Sequence, residues 1–196
     1  MTRYASKSWR AFRPHNAGAM PALASISLSA RDCRVLGLDP GSQRTGYGII
    51  DCRGSAERHV VSGCVDVIGH DMVGRLQRIY AAVTALVAEH RPDTVAIERV
   101  FVHRNPDSAL KLGQARGVAL CAAASLGASV HEYAPRAIKL AVTGYGAAAK
   151  PQVAQMVRTL LLLEIKLAAD AADALAVALC HAQTRRLGSL NAVDVA

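Results

Sequence analysis

The chain has 196 residues, 52% of them hydrophobic on a broad count, with a net charge of +8 and five cysteines. That length and apolar share suit one domain with a substantial core, and with no run of ~18 apolar residues a membrane span is not expected. The cysteines (Cys33, Cys52, Cys64, Cys121 and Cys180) are scattered, odd in number and form no CxxC, which argues against a disulfide framework or a zinc site and for a reducing, cytoplasmic setting.

Residues 1–31 hold Arg3, Lys7, Arg10, Arg13 and Arg31 and no acid. They are rich in Ser and Ala without periodic patterning. Residues 1–33 are therefore expected to form a disordered or non-native extension, with a targeting peptide as another option. "RVLGLD" (34–39) reads as a buried strand ended by the turn "PGSQ". "TGYGIID" (45–51) and "HVVSGCVDV" (59–67) read as two more strands around the turn "RGSAE", giving an antiparallel meander. From Val73, apolar residues recur at helical spacing through Val87, with Asp71 as N-cap. "TVAIE" (94–98) is a fourth strand. A basic loop, "RVFVHRNP" (99–106), follows, and Asp107 or Ser108 is expected to cap a helix to about Leu126. "SVHEY" (129–133) is a fifth strand, Pro135 opens a short helix, "TGYGAAA" is a loop, and Pro151 opens another helix to about Leu163. The last helix is placed at 168–184, and residues 185–196 read as a flexible tail. Three strands followed by strand–helix alternation predict an α/β fold with a mixed five-stranded sheet flanked by helices, its first three strands antiparallel. The folded domain spans 34–184.

Two acids stand at strand ends. Asp39 follows Val35-Leu36-Gly37-Leu38, and Glu98 follows Val95-Ala96-Ile97. The mouths of buried strands are where α/β proteins often place sites, and Glu is depleted both in strands and in turns. In "AADAADALAVALCHA" (168–182) the only acids are Asp170 and Asp173. Spacing i, i+3 puts both carboxylates on one face of an apolar helix, which is costly unless a cation sits between them. Convergence of Asp39, Glu98, Asp170 and Asp173 would give hard oxygen ligands suited to Mg²⁺ or Mn²⁺. Two such ions ~4 Å apart activate a water and stabilise a leaving oxygen, which is nuclease chemistry.

The basic residues are compatible with a polyanionic partner. Residues 99–150 hold Arg99, Arg104, Lys111, Arg116, Arg136, Lys139 and Lys150 against Asp107 and Glu132, a surplus that suits nucleic acid or an ordinary solvated surface. Lys150 at a helix start opposes the helix dipole, so it either contributes to a phosphate site or is a surface lysine. Lys139 has the same two readings. Phe101, on the basic loop, either stacks on an unpaired base or folds back onto the sheet. Arg99 either touches phosphate or balances the acids.

"GLDPGSQRTGYGII" (37–50), "AIERVFVHRNPDSALKLGQARG" (96–117) and "DAADALAVALCH" (170–181) together closely resemble the RuvC-type Holliday junction resolvases, over about residues 34–183. The resemblance implies a ribonuclease H-like fold, a symmetric homodimer, and Mg²⁺-dependent endonuclease action on four-way DNA junctions in recombination and repair. Carried over residue by residue, it makes Asp39, Glu98, Asp170 and Asp173 the catalytic, metal-binding acids. Phe101 becomes the aromatic that stacks at the junction, and Lys139 and Lys150 the basic residues near the scissile phosphate. Arg99 and Arg104 are taken as DNA-binding by their place on the same basic loop. It also implies a dimer helix beginning near Ser108, with Gly113, Gly117 and Ala122–Ala124 permitting close approach, and a branch-migration motor of the RuvA and RuvB type as partner. Two segments depart from the family pattern. "LLLEIKLAA" stands where a Pro- and Asn-containing connection is common, and is helix-favouring. Ala149 stands where relatives often have an acid. The competing expectations are a junction-binding protein without nuclease activity, and another ribonuclease H-like nuclease or ATPase. An ATPase of that kind needs a second lobe that 196 residues do not accommodate.

Overall fold

The computed structural model describes residues 32–99, 105–125 and 127–193, with side chains to Gly188. Strands β1 (Cys33–Pro40), β2 (Arg44–Arg53) and β3 (Ala56–Asp66) precede helix α1 (Met72–His90). Strand β4 (Thr94–Glu98), α2 (Pro106–Ala124), β5 (Ser129–Tyr133), α3 (Pro135–Thr143), α4 (Lys150–Leu160) and α5 (Ala169–Val193) follow. The five strands form one sheet in the order β3-β2-β1-β4-β5. The first three are antiparallel, while β1, β4 and β5 run parallel. This is the expected mixed sheet of a ribonuclease H-like fold. Among the described residues no helix is long and apolar enough to cross a membrane.

Strand alternation divides the core into two layers. Leu36 and Leu38 of β1, and Val95 and Ile97 of β4, pack with Ile79, Val83 and Val87 of α1 and with Ala115, Ala119 and Ala122 of α2. Val35 and Ala96 point the other way, onto Leu175, Val177 and Leu179 of α5 and Val153 and Val157 of α4. Asp39 and Glu98 continue the second series, so both carboxylates belong to the face that α5 covers.

Local chemistry fixes most element boundaries. The Asp71 side chain accepts from the Gly74 amide at 2.9 Å, the expected N-cap of α1. The cap of α2 is Asn105, not Asp107 or Ser108. Its side chain accepts from both of those amides, and Pro106 occupies the first helical position, where its missing N–H costs nothing. The β2–β3 connection is tighter than the five-residue turn expected: only Gly54 and Ser55 separate the strands, with Gly54 at φ +57.

Two helix ends differ from expectation. "LLLEIKLAA" does not prolong α4. Leu162 takes φ +53, and the Leu163 amide folds back to the Arg158 carbonyl at 2.8 Å, so the chain turns and residues 161–168 carry no helix. At the C-terminus, α5 runs to Val193 instead of giving way to a tail at 185. Residues 183–187 contain no breaker, and Arg185 and Arg186 anchor this turn to the sheet through Cys33 and Glu57.

Candidate active site

The geometry starts from register. Leu38 of β1 and Ile97 of β4 are parallel partners. Asp39 and Glu98, one residue further on, therefore emerge side by side at the carboxyl ends of two central strands. Tyr133 of β5 pairs with Glu98, and the Arg116 guanidinium donates to the Glu98 carbonyl at 3.3 Å. The end of β4 is thus held from both sides.

Helix α5 supplies the other two acids, and glycines decide how closely it approaches. Gly46 is the β2 partner of Asp39. A Cβ there would lie 2.0 Å from the Asp170 carbonyl oxygen, and one on Gly37 would lie 2.1 Å from the Ala174 carbonyl oxygen. No side chain fits at either position. The bare backbone lets the first turns of α5 rest directly on the sheet, which brings Asp170 and Asp173 over Asp39.

Electrostatics registers that crowding. Burial, then the charges of Glu98, Asp173 and Asp170, push the Asp39 carboxyl from 3.8 up to about 7, against the pull of Lys150. Burial and the Asp173 charge likewise raise Glu98 above the usual carboxylate range, while Lys150 and Lys139 oppose the shift. Lys150 donates to Asp173 Oδ2 at 2.7 Å, and this bond raises its own pKa. Asp170 Oδ2 accepts from the Cys64 thiol at 3.6 Å. Glu98, Lys139, Lys150 and Asp173 all line one small hollow of about 60 Å³.

All four acids expected from the sequence therefore gather at one end of the sheet, with Lys139 and Lys150 beside them. The donor set, carboxylates without His or Cys, has the chemistry of a hard divalent-cation site. Among the described residues no three acids surround a common ligating point, and Asp173 is paired with Lys150. Arg99 is not part of the cluster. It pairs with Glu132 at 3.8 Å, beside Arg116, whose guanidinium meets the same carboxylate at 2.9 Å by charge rather than an aligned hydrogen bond. Phe101 and Arg104 lie outside the described residues. Sequence reasoning counted Arg116 in the basic surplus but gave it no site role, and its place nearly three turns into α2 offered no further signal. It also missed Gly37 and Gly46, which were visible as glycines inside strands, a sign of close backbone approach.

The family model of the crossover junction endodeoxyribonuclease RuvC matches residues 35–181. The crossover junction endodeoxyribonuclease RuvC of Alkalilimnicola ehrlichii is 53% identical over 163 residues, covering 80% of this chain and 99% of that protein. That of Dichelobacter nodosus is 55% identical over 150 residues, with coverage of 76% and 85%. Thermus thermophilus RuvC, solved in complex with Holliday junction substrate, superposes with a TM-score of 0.75 at 37% identity, covering 80% of this chain and 97% of that one. The chain belongs to the RuvC family of crossover junction endodeoxyribonucleases.

Proposed function

We propose that this protein is a structure-specific endonuclease that resolves four-way (Holliday) DNA junctions by hydrolysing phosphodiester bonds, acting in recombination and repair in the cytoplasm. The observation that carries this reading is the gathering of Asp39, Glu98, Asp170 and Asp173 at one end of the sheet, where burial first and then the neighbouring carboxylates raise Asp39 to about 7. When bound by these acids, a divalent cation supplies a hydroxide at neutral pH and Lewis-acid stabilisation of the departing oxygen. We assign Mg²⁺, two per site, with Mn²⁺ as a substitute.

The chain's own residues bind and orient. Lys150, once it leaves Asp173, and Lys139 neutralise the scissile phosphate from the wall of the hollow they share with Glu98. Phe101 stacks on an unpaired base and Arg104 follows the backbone. Arg99, held by Glu132, contributes less. Two copies meet through α2, where Leu110 is exposed and a Cβ on Gly113 or Gly117 would meet nothing within 4 Å. The dimer presents two sites to two strands of like polarity, and a motor of the RuvA and RuvB type moves the junction.

The test is a synthetic four-way junction with Mg²⁺, cut by the unsubstituted protein and by Asp39→Asn. The unsubstituted protein nicks the junction far faster than linear duplex, and Asp39→Asn binds the junction without cutting it. Junction binding without any cutting, in Mg²⁺ or Mn²⁺, sinks the enzyme reading and leaves a junction-binding protein.

A further inference from the structure

At the end of the sheet opposite the acids, two cysteines face each other. Cys33 opens β1, Cys52 lies near the end of β2, and they are direct antiparallel partners. Their side chains point to the same face, into the layer that α5 covers. Directly opposite residues of antiparallel strands have Cα atoms about 4.5–5.5 Å apart, inside the window that a disulfide spans. Both thiols are free.

A cation completes the arrangement. The Arg185 guanidinium, on α5, donates to Cys33 Sγ. The Cys52 hydrogen bond first, and then Arg185, hold the Cys33 thiol at about 7, against burial and the charge of Asp93. Cys52 moves the other way. Its hydrogen bond to Cys33 and its burial push it up, so it keeps its proton. The two shifts run in opposite directions and make Cys33 the more acidic thiol of the pair. Small reagents have a route, because two hollows meet at Cys33. One, of about 500 Å³, is bounded by Arg34, Asp51 and Cys52. The other, of about 220 Å³, is bounded by Asp93, His131, His181 and Arg185. By contrast, burial pushes Cys64 and Cys180 up to about 11.

We propose that Cys33 and Cys52 are a peroxide-reactive dithiol that closes to a cross-strand disulfide. The Cys33 thiolate attacks one oxygen of a hydroperoxide. The O–O bond breaks, and the departing hydroxide takes a proton to become water. Cys33 is left as a sulfenic acid. The Cys52 sulfur then attacks the Cys33 sulfur, the S–O bond breaks, and the leaving hydroxide takes the Cys52 proton. Two thiols and one hydrogen peroxide give one disulfide and two waters, and a reducing thiol reverses the change. The six residue steps of β1 from Cys33 to Asp39 span about 20 Å at the usual strand rise, so this site is separate from the acids and independent of the proposed nuclease activity.

The test uses the full chain, reduced, treated with hydrogen peroxide near pH 7.5, blocked with N-ethylmaleimide and mapped by mass spectrometry without reduction. The expected result is loss of two of the five thiols, a single crosslinked peptide joining Cys33 to Cys52 within one chain, and recovery with dithiothreitol. In Cys52→Ser, Cys33 should stop as a sulfenic acid that dimedone traps. The proposal is overturned if Cys33 and Cys52 are both recovered as blocked thiols after peroxide has oxidised the exposed Cys121, or if Cys33 links to another partner or another chain. The mapping of the unsubstituted protein decides this even where the serine variant does not fold.

Discussion

Gly46 is the position where the smallest change should do the most to the site. In Gly46→Ala the new Cβ would stand 2.0 Å from the Asp170 carbonyl oxygen, where real contacts stay beyond 3.0 Å. The obstacle is backbone, so no rotamer change relieves it. Strand β2 and the start of α5 must part by about 1 Å. Overpacking of this kind costs ~1–3 kcal/mol. The same displacement moves Asp170 and Asp173 away from Asp39 and Glu98, and ~1 Å of misplacement at a reacting centre costs on the order of 10²-fold in rate. The assay is single-turnover cutting of a four-way junction, alongside urea unfolding and junction binding. Gly188→Ala is the control, since a Cβ there meets nothing within 4 Å. The expected result for Gly46→Ala is cutting reduced about 10²-fold with binding retained. Cutting at the parent rate would show that the approach of α5 to the sheet does not set the site.

Further outcomes follow from charge and burial. Asp39 has a raised folded-state pKa, so its ionised form destabilises the fold; the penalty opens above its ordinary 3.8 and is complete above about 7. In urea with EDTA, Asp39→Asn should therefore be more stable than the parent, by up to ~2 kcal/mol at pH 5 and ~4 kcal/mol at pH 8.5, from ~1.4 kcal/mol per pKa unit. A difference that does not grow with pH refutes the raised pKa of Asp39. Lys150→Met removes the bond to Asp173. Because that lysine is 77% exposed, unfolding should change by less than ~1 kcal/mol, whereas cutting should fall by at least tenfold, roughly the loss of one charged phosphate contact. Tyr133→Phe takes away the 2.7 Å partner of His181 Nδ1. His181 is 1% exposed and its Nε2 already lacks a hydrogen bond, so urea denaturation should register a loss of ~1–3 kcal/mol.

The strand-end acids were legible because strands are read by alternation. Once Val35 and Ala96 face one layer, Asp39 and Glu98 must face it too, and parallel pairing makes them neighbours. The i, i+3 pair on α5 was legible for the same geometric reason. The docking of α5 was not, because a missing side chain leaves no hydrophobic signal: Gly37 and Gly46 matter for what they leave open. The turn at Leu162 was hidden as well. "LLLEIKLAA" has the composition of a helix, and only the packing of α4 back against α5 requires the chain to turn there. Asn105 was passed over as a cap because Pro106 looked like the end of a loop rather than the first residue of α2.

The acid cluster also explains what Lys150 does at a helix start, where its charge opposes the dipole. Four carboxylates drawn together by bare glycine backbone repel one another, and that repulsion adds to burial in raising Asp39. A lysine on a flexible stem, reaching across to Asp173, offsets part of that repulsion. With Lys150 77% exposed the pair is worth on the order of 1 kcal/mol, so under the proposed function little opposes its separation when a cation and a phosphate arrive. A buried arginine in the same place would hold Asp173 far more tightly and in fixed geometry. Weak pairing is therefore part of the design. It quiets the cluster, and under the proposed function it leaves both Asp173 and Lys150 available, one for the cation and the other for the phosphate.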